Sequence, residues 1–113
     1  MAAMKGRELR AGARLAVKER ASLNSGDAWF PCMVQDMSDG GFLILCSKEL
    51  KVGQVLDFKC QLMPERTLTC KIEVKHVSPS GMGTKVVEID GRGTRLLELF
   101  LQEQYSLKLN SKI

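Results

Sequence analysis

Apolar and polar residues alternate with a period of two along most of the chain. From Val55 to Leu62, Leu56, Phe58, Cys60 and Leu62 fall on one side, and Val55, Asp57, Lys59 and Gln61 on the other. From Thr67 to Val77, Leu68, Cys70, Ile72, Val74 and His76 form one row opposite Thr67, Thr69, Lys71, Glu73 and Lys75. Such alternation marks half-buried antiparallel strands with one wet face. Met63-Pro64-Glu65-Arg66 joins the two runs as a hairpin turn. Upstream, Leu15 to Leu23 alternates with Leu15, Val17, Ala21 and Leu23 inward. After the turn cluster Asn24-Ser25-Gly26-Asp27, the stretch Trp29 to Gln35 puts Phe30, Cys32 and Val34 on one face and Trp29 on the outer one. Pro31 restricts that strand to an edge or bulged site. A short apolar strand follows at Gly41 to Cys46, and a last one at Met82 to Ile89.

The tail changes period. Leu96, Leu97, Phe100, Leu101 and Tyr105 recur at three- and four-residue spacings, the stripe of an amphipathic helix, with Asp90 as its candidate N-cap. Six short strands and one helix predict an all-β fold, a six-stranded antiparallel barrel with a C-terminal helix, since closure removes exposed strand edges. The organisation expected is a flexible arm at 1–14, a barrel plus helix at 15–105 and a tail at 106–113.

Composition adds limits. The chain has 113 residues, 44% hydrophobic and 27% charged, which suits one globular domain. Its longest apolar run, Phe42 to Cys46, is far too short to span a membrane as a helix, and Met1 to Arg20 lacks the apolar segment of a secretory signal. Cys32, Cys46, Cys60 and Cys70 have no metal-ligand spacing, so reduced thiols in a cytoplasmic protein, without a metal, are expected. A net charge of +4 permits an anionic partner without demanding one. Aromatics at 5% are too few for the stacking platform of a barrel that binds single-stranded nucleic acid. His76 falls in the inward row and no nucleophile–base–acid set recurs near it, so no catalytic set is expected and the chain reads as a non-enzyme.

Two features exceed what core building needs. Arg10 and Arg14 bracket small residues ahead of the first strand, and paired guanidiniums suit phosphate or a guanine edge. Asp36-Met37-Ser38-Asp39-Gly40-Gly41 links two apolar strands; Asp36 and Ser38 have acceptors to offer a turn or a ligand, and Gly40 or Gly41 is free to take positive φ.

RxxxR (Arg10, Arg14) followed by DxSxxG (Asp36, Ser38, Gly41) resembles the PilZ domain family, bacterial receptors for cyclic di-GMP. Leu50-Lys51-Val52-Gly53-Gln54-Val55 and Met82-Gly83-Thr84-Lys85-Val86 extend the resemblance over roughly residues 7–105. It implies that Arg10 and Arg14 grip guanine edges and phosphates. Asp36 and Ser38 would contact guanine N–H groups or orient the arginines, Gly41 would hold the loop, and Arg7, Leu9 and Gly40 would be accessory. Leu9 departs from members that carry a basic residue before RxxxR and bind a stacked ligand pair, which implies one ligand per chain. Cyclic di-GMP would be a ligand rather than a cofactor, and its arrival would order the arm and alter the surface offered to a separate effector protein. The alternatives are an adaptor that acts by protein contact alone and a nucleic-acid-binding barrel.

Overall fold

A computed structural model describes residues 12–110. Six strands, β1 (Leu15–Asn24), β2 (Trp29–Met37), β3 (Gly41–Leu45), β4 (Val55–Met63), β5 (Arg66–Ser78) and β6 (Gly81–Glu88), precede one helix, α1 (Gly91–Asn110). The strands close into an antiparallel barrel in the order β1-β2-β3-β6-β5-β4. Every strand thus has two neighbours and no edge is left to template aggregation.

The inward rows expected from alternation fill the barrel. Leu23, Val34, Phe42, Ile44, Phe58, Leu68, Ile72 and Val74 are fully buried. Phe42 and Phe58 stack at the centre with ring centroids 4.7 Å apart. The helix packs on β5, β4 and β1 through Leu96, Leu97, Phe100 and Leu101. Asp90 caps it: its carboxylate accepts the Gly93 N–H at 2.7 Å, and its carbonyl accepts the Thr94 N–H at 2.9 Å. Burial pushes the thiols of Cys32, Cys60 and Cys70 up to about 12, so these three remain protonated and unreactive at neutral pH. No helix among the described residues is long and apolar enough to cross a membrane.

The alternation slips at two places, and the first overturns a sequence expectation. In β5, Val74 pairs with Thr84 but His76 pairs with Gly83, so one residue of β5 is left over. That irregularity carries His76 out of the inward row, and its side chain is exposed rather than buried. The imidazole lies over Gly83, filling the space that a Cβ would need there. In β2, Val34 and Met37 are both buried although three residues apart. The slip coincides with register shifts toward both β1 and β3. A regular strand would have pointed Asp36 into the core with Cys32 and Val34; the slip sends Met37 inward and turns Asp36 to the surface. Trp29 does lie on the outer face, 42% exposed, with the Lys59 ammonium 4.1 Å from its ring centroid.

Candidate functional site

The β2–β3 connection is built around one serine. The Ser38 hydroxyl accepts the N–H groups of Gly40 and Gly41 at 3.2 and 3.1 Å and donates to the Gly41 carbonyl at 3.3 Å. The Ser38 N–H also donates to the Gly41 carbonyl, at 2.9 Å. Ser38 is only 5% exposed. Its oxygen is therefore engaged in holding the loop, which gives it a turn-forming role in this state of the protein.

Neither Gly40 nor Gly41 adopts positive φ, contrary to the expectation from sequence. Gly41 is required for a different reason. It pairs with Lys85 across the β3–β6 ladder, and a Cβ at this position would run into the Thr84 carbonyl oxygen. The adjoining Thr84 hydroxyl donates to the Phe42 carbonyl at 2.8 Å and accepts the Phe42 N–H at 3.3 Å. From β6, the Val86 N–H donates to the Gly40 carbonyl at 2.8 Å. The loop is thus clamped onto β6 as well as closed on itself.

Asp36, turned outward by the slip in β2, meets Arg14. The Arg14 Nη1 donates to Asp36 Oδ1 at 2.6 Å, with the two side chains 49% and 24% exposed. An exposed ion pair of this kind contributes little to stability. Its consequence is orientation: one edge of the guanidinium is held and its remaining donors are left for an anion. Of the two roles open to Asp36, orienting an arginine is the one its geometry serves here.

Asp39, which the sequence reading did not single out, makes a second tie. It accepts the Gly12 N–H at 2.9 Å, and Gly12 adopts a φ of +81° in open surroundings. A second acid in the loop, facing a glycine between the two arginines, was the available signal. Two carboxylates, Asp36 near the end of β2 and Asp39 in the loop after it, therefore hold the segment 12–14 against the barrel. Arg10 lies outside the described residues, as do the accessory candidates Arg7 and Leu9. The structure brings together Arg14, Asp36, Ser38, Gly40 and Gly41.

Comparison with known proteins follows the same lines. Among curated proteins, none matches the sequence. Among solved structures, the chain is similar to the Bacillus subtilis inhibitor of motility MotI/DgrA, with a TM-score of 0.74 and 16% identity over 94% of this chain and 54% of that one. It is also similar to the PilZ domain of CeSA from a cellulose-synthesizing bacterium, with a TM-score of 0.63 and 9% identity over 86% and 99% of the two chains. A third similar structure is the Borreliella burgdorferi PlzA protein in complex with c-di-GMP, with a TM-score of 0.62 and 18% identity over 91% and 43%. The chain spans about half the length of MotI/DgrA, and less of PlzA. At these identities the structural likeness speaks for the fold. The family model described as PilZ domain matches residues 8–103, nearly the whole sequence. With that match and the closed six-stranded barrel, the chain belongs to the PilZ domain family.

Proposed function

We propose that this chain is a receptor for cyclic di-GMP, bound where the N-terminal arm meets the β2–β3 loop. The observation that carries the reading is the Arg14–Asp36 pair, an arginine oriented by a carboxylate beside a glycine-floored loop. The ligand has two phosphodiesters and two guanines, so it asks for oriented cations and for hydrogen-bonding groups in one place. Arg14 offers unused guanidinium donors, and Arg10 would add a second fork from the arm. The similar PlzA structure, solved in complex with c-di-GMP, supports the ligand class.

Binding would order the arm across the barrel and change the surface offered to a separate effector protein, in the cytoplasm, with one ligand per chain. Titration calorimetry with cyclic di-GMP, and GTP as the control, tests the reading. A saturable cyclic di-GMP isotherm at a ratio near one, absent for GTP, is expected. Heat no different from dilution would refute it.

A further inference from the structure

Among the described residues, the charges gathered where β1 begins and the β2–β3 loop starts are one positive, Arg14, and two negative, Asp36 and Asp39. Two phosphodiesters would enter beside a surface whose described charges are net negative. A partly desolvated anion in that position needs a further cation within short range.

The β3–β6 ladder supplies one. Lys85 is the register partner of Gly41, the last residue of the loop. Its neighbour Thr84 is buried and bonded to the Phe42 backbone, so alternation points Lys85 to the outer face, where it is exposed. The next residue, Val86, bonds the Gly40 carbonyl directly. Gly41 has no side chain to stand between Lys85 and the loop. A lysine stem readily crosses one strand spacing of about 4.8 Å. On its other flank Lys85 faces Glu73, but that carboxylate pairs with Lys75 at 3.4 Å. Lys85 makes no ion pair among the described residues.

We infer that Lys85 is a further ligand-binding residue, reaching from β6 over Gly41 to a phosphate of the bound dinucleotide and supplying positive charge against the two carboxylates. This rests on the cyclic di-GMP reading above. Lysine suits the task as a compact point charge with rotatable donors, needing no fixed fork geometry.

The test compares cyclic di-GMP calorimetry at two ionic strengths for wild type, Lys85→Gln, Lys85→Arg and Lys75→Gln. Lys85→Gln is expected to weaken binding by about tenfold, equivalent to about 1.4 kcal/mol, and to make its salt dependence shallower. Lys85→Arg retains most of the affinity because the charge is kept. Lys75→Gln, with the same change in net charge, stays close to wild type. Melting temperatures should not move, since Lys85 is exposed. If Lys85→Gln binds like wild type, or Lys75→Gln loses as much, the assignment of Lys85 is overturned while the receptor reading stands. A wild type that does not bind overturns both.

Discussion

The Arg14–Asp36 and Lys71–Asp57 pairs have nearly the same length, 2.6 and 2.7 Å, and stand in different kinds of structure. Asp57 and Lys71 are direct register partners in a regular stretch of the β4–β5 hairpin, where each lies on the wet face as alternation expects. Both are about half exposed, and the aspartate raises the lysine above its ordinary value chiefly through their hydrogen bond. Such a pair is cross-strand complementarity on a sheet surface. Arg14 and Asp36 have no such ladder between them. Arg14 precedes β1, and Asp36 reaches the surface only because β2 breaks its alternation. An ion pair that needs an irregular strand to exist is a better marker of function than one the regular ladder produces unaided.

The sharpest way to break this contrast is at the floor of the loop. Gly41→Ala would place a methyl group against the Thr84 carbonyl, with backbone on both sides of the conflict. A loss of about 3 kcal/mol in urea unfolding is expected, together with loss of ligand binding. An unchanged denaturation midpoint would mean that β3 and β6 separate there at little cost.

Next come the two pairs themselves. Arg14→Ala should weaken cyclic di-GMP binding by about 1.5–3 kcal/mol, roughly ten- to a hundredfold, with little change in melting. Lys71→Ala should leave both binding and melting close to wild type, since the pair is exposed. Equal effects of the two substitutions on binding would erase the distinction drawn between regular and irregular pairs.

Ser38→Ala sharpens the account of the loop. The alanine would leave the Gly40 and Gly41 amides without their hydroxyl acceptor, one of them in a buried bond. About 1–3 kcal/mol of stability should be lost, with binding falling in proportion to loop disorder. A large affinity loss at unchanged melting temperature would instead assign the hydroxyl to the ligand.

The smallest effect concerns Glu19, which occupies the inward parity of β1 between Val17 and Ala21. Partial burial raises its carboxyl above the ordinary 4.5. The folded state therefore holds this proton more tightly than the unfolded chain, and stability declines as pH rises from about the unfolded value through the raised one. Glu19→Gln should raise the melting temperature slightly at pH 7 and not at a pH below both values. A gain of the same size at both would point to packing rather than ionisation.

The sequence by itself determined the barrel and the helix, because both depend on local periods. Alternating Leu56, Phe58, Cys60 and Leu62 can bury one face only as a strand, and Leu96, Leu97, Phe100 and Leu101 only as a helix capped by Asp90. It also carried the residue order by which Arg14 and Asp36 were singled out. What tertiary structure decided was facing and proximity. Regular alternation would have buried both Asp36 and His76; register shifts against neighbouring strands turned each outward. Gly41 was expected to matter for its φ, but the approach of the Thr84 carbonyl from a strand 43 residues later in the sequence is what requires it. The same ladder brings Lys85 beside the loop. Register between distant strands is set by how the whole barrel closes around Phe42 and Phe58, and no local window of sequence contains that information.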